Sequence, residues 1–151
     1  MIKQYISLFI IALFFSCGSN ILITNTKISN DLEILKHLEK HKIKAQKSSS
    51  GLYYIIRKKG KGRTPHRRSK ITAYYKGSFL NGKIFDKSDF RGITFNLQEV
   101  ISGWQEGFTY LKSGSEATFF IPAHLAYGIN STDRIPGGSV LIFKVKLISV
   151  Y

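Results

Sequence analysis

Cysteine and acidic residues are scarce in this chain: one Cys and nine Asp or Glu stand against 23 Lys or Arg in 151 residues. A single cysteine, Cys17, excludes an intrachain disulfide. After Gly51 only six carboxylates remain: Asp86, Asp89, Glu99, Glu106, Glu116 and Asp133. That leaves little for general acid–base chemistry. No serine lies in a nucleophile-elbow pattern, and Gly60-Lys61-Gly62-Arg63 lacks the spacing of a phosphate-binding loop. Hydrolase and kinase chemistry are therefore poorly supported. Metal sites are equally thin. Of His37, His41, His66 and His124, only the first two share an i, i+4 spacing. They sit on a Lys-rich helix with no third ligand nearby, which reads as solvated histidines and no metal. No internal repeat is visible.

What is present is a globular composition, 43% hydrophobic and 21% charged, in a length that suits one core-forming domain. Eleven Phe, eight Tyr and one Trp can line a pocket as well as fill a core. The formal charge is +14, and eight Lys or Arg with no acid fall between Arg57 and Lys70. Such a run reads first as a solvated basic loop. No recognition helix or stacking motif accompanies it, so no nucleic-acid partner is expected. Anionic lipid headgroups are the better electrostatic match if the protein sits at a membrane.

Residues 1–17 read as a targeting segment. Lys3 supplies the positive start, and Ile6 to Phe15 is apolar but for Ser7. A spanning helix needs roughly 20 apolar residues, whereas this run has the length of a secretory signal core. Leu13-Phe14-Phe15-Ser16-Cys17 resembles a bacterial lipoprotein signal, departing from it at Phe14. The resemblance implies that Cys17 is diacylated and becomes the mature N-terminus. Two acyl chains make anchoring stable where one is marginal. The expected location is extracytoplasmic: periplasmic and anchored to a membrane. An ordinary cleaved signal and an uncleaved anchor are the alternatives.

Residues 18–29 read as a polar tether. Asn30 with Glu33 forms a capping-box pattern for a helix to about Lys47, with Leu32, Leu35 and Leu38 as its apolar stripe. Strand patterns follow at Leu52–Arg57, at Ile71, Ala73 and Tyr75, and at Ile93, Phe95 and Leu97. Asn81-Gly82 marks a hairpin of the type I′ kind. Ser102 to Gly114 is the one convincing helix of this half, with Ser102 and Gln105 as its capping box and Gly114 at C′. Ala117, Phe119 and Ile121, then Leu141, Phe143, Val145 and Leu147, mark two closing strands. The fold class is α+β, an antiparallel β-sheet wrapped around one short α-helix and preceded by an N-terminal helix.

Five segments, in order across about a hundred residues, resemble the FKBP-type peptidyl-prolyl isomerases. They are Ala73-Tyr74-Tyr75-Lys76-Gly77; Gly82-Lys83-Ile84-Phe85-Asp86-Lys87-Ser88; Glu99 through Gly107 around Ser102-Gly103-Trp104; Ile121-Pro122 through Leu125-Ala126-Tyr127-Gly128; and Ile135-Pro136 with Leu141 to Val145. Gly51-Leu52-Tyr53-Tyr54 resembles the first strand of bacterial extracytoplasmic members. The resemblance implies an isomerase domain over 51–151, with 18–50 as tether and N-terminal helix. It assigns Trp104 to a pocket floor, Tyr75, Phe85, Val100, Ile101, Tyr127 and Phe143 to its walls with Phe95 and Ile135 beside them, and Asp86 and the Tyr127 hydroxyl to its rim. Catalysis then rests on Asp86, Tyr127, Phe85 and Trp104, and the Ile101 backbone anchors the substrate. Arg134, Lys87 and Leu111 depart from the family pattern, and the loop from Ile129 to Arg134 is short.

The implied activity is isomerisation of Xaa-Pro bonds in exported polypeptides by a monomer without a cofactor. Taken one at a time, Phe85, Val100, Ile101, Trp104 and Phe143 read equally well as core, and Asp86 as a turn residue. The alternative function is a non-catalytic chaperone or binding module of a membrane-associated complex, using the N-terminal helix and the basic segment 57–70 as contact surfaces.

Overall fold

The computed structural model describes residues 5–151, with side chains described from residue 21 onward. Cys17 and the apolar run before it lie outside those described side chains. Two α-helices and seven strands are present: α1 (Tyr5–Lys40), β1 (Gln46–Lys47), β2 (Tyr53–Lys58), β3 (Lys70–Phe79), β4 (Ile84–Lys87), β5 (Ile93–Asn96), α2 (Ser102–Thr109), β6 (Glu116–Ile121) and β7 (Leu141–Val150). Among the described residues, no helix is long and apolar enough to cross a membrane.

Period-two alternation builds the sheet. On β3, Ile71 and Ala73 are fully buried while Lys76 faces solvent. The strands pair antiparallel in the order β1-β2-β6-β7-β3-β4, and β5 pairs with the first half of β3. The inner face curls around α2, burying Leu97, Phe108, Phe119, Ile121, Leu141 and Leu147. Helix and sheet approach closely because α2 carries glycine where they meet. A Cβ on Gly107 would lie 2.8 Å from the Phe119 ring, and one on Gly103 2.5 Å from Ile121.

The α+β plan holds, but four local expectations give way. First, 18–29 is not a tether: α1 runs through it without a break and stops at Lys40, not near Lys47. No proline interrupts it, and packing of its C-terminal half outweighs the modest propensities of Asn, Ser and Thr. The stop is a Schellman pattern built without glycine. Lys42 takes φ 53°, the Ile43 N–H donates to Leu38 O at 2.8 Å, and the Lys42 N–H donates to Glu39 O at 3.0 Å. Ile43 and Leu38 then share one apolar cluster.

Second, the buried face of α1 is Asn30, Ile34 and Leu38, whereas Leu32 and Leu35 are 52% and 45% exposed. Asn30 is no cap. It is 1% exposed, donates from Nδ2 to Gly138 O at 2.9 Å, and accepts the Ala123 N–H on Oδ1 at 2.8 Å. Ile34 and Leu38 pack with Tyr53, Phe120, Val140 and Ile142 on the outer face of the sheet. His37 joins them, its ring 5.8 Å from Phe120. Burial, then the charges of His41 and Lys40, hold its imidazole below the usual histidine range. It is thus half-buried rather than solvated.

Third, the Asn81-Gly82 hairpin is not type I′. Only Gly82 has positive φ, at 87°, so Phe79 to Gly82 is an ordinary turn closed by a left-handed glycine, with the Gly82 N–H donating to Phe79 O. Fourth, α2 ends at Thr109, and its N-cap is Ile101 with no side-chain cap. Gln105 Nε2 reaches back to Val100 O at 2.8 Å, so the expected Ser102 capping box does not form. Gly114 does take positive φ, but in the turn into β6, where its N–H donates to Leu147 O.

Truncating Asn30 to alanine leaves a partly buried carbonyl and a buried N–H unpaired, so N30A is expected to lower stability by about 1–3 kcal/mol. L32A and L35A, on the exposed face, are expected to stay within about 0.5 kcal/mol. Urea unfolding midpoints check both, and equal effects at the three positions would contradict the docking described.

Candidate active site

The site grows out of one strand pair and one helix start. Trp104 sits in the first turn of α2, 5% exposed, and four rings surround it. Tyr75 meets it edge-on at 5.0 Å, Phe143 edge-on at 5.0 Å, Phe95 tilted at 5.3 Å and Phe108 edge-on at 5.5 Å. Phe85 joins through Phe143 at 5.6 Å, again edge-on. Such edge-to-face pairs add to the stabilisation from area burial. Trp104 Nε1 is buried without a hydrogen-bond partner among the described residues.

Gly77 makes the wall possible. A Cβ there would lie 2.7 Å from Phe85 Cζ and 2.8 Å from Phe143 Cε1. With hydrogen in that place, both rings approach the β3 backbone. Val100 and Ile101 pack partly buried against the same core. Ile101 O accepts the N–H groups of Trp104 and Gln105 at 2.9 and 3.1 Å. The Ile101 N–H donates to nothing among the described residues. It is a free donor beside the ring cluster.

The rim is polar. The Tyr75 hydroxyl donates to Asp86 Oδ2 at 2.6 Å, and the Lys87 N–H donates to Asp86 Oδ1 at 2.9 Å. Register explains the first contact. Asp86 lies opposite Gly77 on β3, and Tyr75 is two residues away on the same face, a diagonal neighbour within reach of a long side chain. Burial first, then the Asp86 hydrogen bond and charge, push the Tyr75 phenol far above its ordinary range. Partial burial, with a smaller contribution from Asp86, pushes the Tyr127 phenol up as well. Tyr127 is 45% exposed and follows the 3-10 turn Ala123–Leu125. With Phe85, Asp86, Asp133, Arg134 and Ile135 it lines a hollow of about 260 Å³.

The structure thus brings Tyr75, Phe85, Phe95, Trp104 and Phe143 into one ring cluster, with Val100 and Ile101 against it and Asp86, Tyr127 and Ile135 at the rim. Arg134, noted as a departure, lines that rim. Sequence reading missed two features. One is the Tyr75–Asp86 bond, whose signal was the hairpin register. The other is Asn30, which touches both ends of the loop carrying Tyr127 and Ile135 and whose polarity in an apolar stripe was read as a cap. Among the described residues no group of His, Cys, Asp and Glu could hold a metal.

Three comparisons bear on this arrangement. Residues 61–148 match the family model described as FKBP-type peptidyl-prolyl cis-trans isomerase. The chain is 46% identical over 128 residues to the FKBP-type peptidyl-prolyl cis-trans isomerase FkpA of Buchnera aphidicola subsp. Baizongia pistaciae, a match covering 83% of this chain and 50% of that protein. It is 41% identical over 105 residues to FkpA of Escherichia coli K12, covering 68% of this chain and 39% of that protein. The crystal structure of E. coli FkpA superposes with a TM-score of 0.74 at 31% identity, over 99% of this chain and 73% of that one. The chain spans about half the length, or less, of these curated relatives.

A phenol whose pKa is raised in the folded chain contributes stability that is present below its unfolded value of about 10 and is lost as pH rises through the folded value. Wild-type protein is therefore expected to lose stability more steeply above pH ~10 than Tyr75→Phe. Denaturant midpoints across that range check it, and parallel curves would contradict a Tyr75 phenol held by Asp86.

Proposed function

The chain belongs to the FKBP-type peptidyl-prolyl cis-trans isomerase family, and on that premise we propose that it accelerates rotation about Xaa-Pro bonds in exported proteins. The observation that carries the proposal is the cluster of rings packed around Trp104, whose member Phe85 lines a hollow together with Asp86 and Tyr127, Asp86 being held by the Tyr75 hydroxyl.

Amide rotation is slow because resonance is lost in the twisted state, at a cost of about 18–20 kcal/mol. The planar amide is more polar than the twisted one. A hollow of aromatic rings therefore receives the twisted form more readily, and only such differential binding speeds the step. In this reading the prolyl ring rests on Trp104 between Tyr75, Phe85 and Phe143. The Ile101 N–H receives a substrate carbonyl beyond the reacting bond. Tyr127 reaches the carbonyl that rotates. Asp86 acts by fixing Tyr75. No bond to the protein forms and no proton need move.

The active unit is the segment 51–151, and α1 supports it through Asn30. The chain acts outside the cytoplasm, held to a membrane by acylated Cys17. A second reading, assistance to folding without catalysis, draws on the exposed Ile21, Leu22, Ile28, Leu32 and Leu35 of α1.

Full-length protein in mild non-ionic detergent is expected to accelerate cis-to-trans conversion of a neutral proline tetrapeptide. D86N and Y127F are each expected to lower kcat/KM about tenfold, a loss of ~1.4 kcal/mol in the transition state, with circular dichroism unchanged. Full activity in both variants would remove the assigned roles. Folding assistance undiminished in the double variant would favour the second reading. Incorporation of labelled fatty acid in cells should vanish in Cys17→Ser, and persistent labelling would refute the anchor.

A further inference from the structure

The outer face of the sheet, turned away from Trp104, is divided. α1 covers Tyr53, Phe120 and Ile142 at one end. The other end is open and cationic. There β4, β3 and β7 set three lysines directly opposite one another: Lys76 is in register with Lys87 on one side and with Lys144 on the other. Adjacent strands lie about 5 Å apart, and like charges directly opposite cost stability. None of the three forms an ion pair among the described residues. The two acids of the same region are already paired, Glu116 with Lys146 at 3.5 Å and Asp89 with Arg91 at 3.6 Å. With Arg57 and Lys146, the lysines line a groove of about 630 Å³. Tyr74 contributes to its floor and Phe90, 83% exposed, to its wall.

We propose that this groove binds an acidic stretch of a client polypeptide while a proline of the same client occupies the Trp104 hollow. Four cations without an ion pair among the described residues, Arg57, Lys76, Lys87 and Lys144, beside the paired Lys146 and Glu116 define the charge of the occupant. The strands define its nature. Tyr75 and Lys76 are consecutive, as are Asp86 and Lys87, so hollow and groove lie on opposite faces of the same two strands. β4 is the edge of the sheet over that stretch. A chain leaving the hollow need only round one edge strand, which about five extended residues at roughly 3.3 Å each can do. The rate arm of the test rests on the isomerase reading, and the binding arm does not.

Binding is measured by fluorescence anisotropy at low salt, with full-length protein in non-ionic detergent and a proline-free peptide carrying a run of glutamates. Wild type is expected to bind it, a glutamine counterpart is not, and K76Q/K144Q is expected to bind about tenfold more weakly. K59Q/K61Q, in the neighbouring basic loop, should change little. K76E, which turns two like-charge pairs into opposite ones, should weaken peptide binding while raising the unfolding midpoint, so lost binding cannot be put down to misfolding. In the rate assay, the glutamate run placed about five residues from the proline should lower KM relative to glutamine, and K76Q/K144Q should abolish that difference yet leave the neutral tetrapeptide rate unchanged. Equal peptide affinity in wild type and K76Q/K144Q overturns the proposal. So does an equal loss in K59Q/K61Q, which would mean diffuse attraction, and so does tighter binding of a single-stranded oligonucleotide or of anionic vesicles at the same lysines. A chain that binds the peptide but isomerises nothing refutes the isomerase reading alone.

Discussion

The packing of Trp104 among Tyr75, Phe95, Phe108 and Phe143 is the contact on which the rest of the molecule depends. One ring joins the start of α2 to β3, β5 and β7, and through Phe143 it reaches Phe85, which lines the hollow beside Asp86 and Tyr127. Core and candidate site are therefore continuous. Gly103 and Gly107 let α2 approach β6, and Gly77 lets Phe85 and Phe143 cover β3. A methyl group at any of these positions would push apart surfaces whose contact creates the hollow. This is why small residues recur where the aromatic cluster closes.

A second constraint comes from α1. Asn30 holds Ala123 and Gly138 at once, and the chain between them carries Tyr127, Arg134 and Ile135. The helix that leads toward the N-terminus thereby also braces the Tyr127 side of the rim. A buried amide satisfied at both ends specifies one docking geometry, because any shift leaves partners unpaired in an apolar setting. The flanking contacts of Ile34 and Leu38 supply burial without that directionality.

Part of this was legible in the sequence. Strand alternation puts Tyr75 and Phe143 on one face of β3 and of β7, whereas Phe85 and Trp104 enter the site only through the resemblance to the FKBP-type isomerases, since each alone reads equally well as core. What could not be read were contacts set by tertiary packing. Leu32 and Leu35 fit an amphipathic stripe as well as Ile34 does, and only the position of the sheet decides which face is covered. Lys42 ends α1 in the left-handed region without the glycine that normally signals such an end. Ser102 and Gln105 have capping-box spacing, but the glutamine finds Val100 O instead. The Tyr75–Asp86 bond and the lysine row both needed strand register, which an Asn-Gly turn suggests but does not fix to the residue.

Basic residues outnumber acids by more than two to one, and the fold sorts them. They gather on the outer face and in the loop after β2, while the ring cluster around Trp104 carries no charge and its neighbouring carboxylate, Asp86, is bound to a tyrosine. Apolar rings beside one held carboxylate suit a neutral amide that loses polarity as it twists. Trp104 is the sole tryptophan, so its fluorescence reports the hollow directly. Titration of the full-length chain with an Xaa-Pro peptide is expected to give a saturable change that the matching Xaa-Ala peptide does not. No change with proline, or the same change with both peptides, would contradict a prolyl ring resting on Trp104.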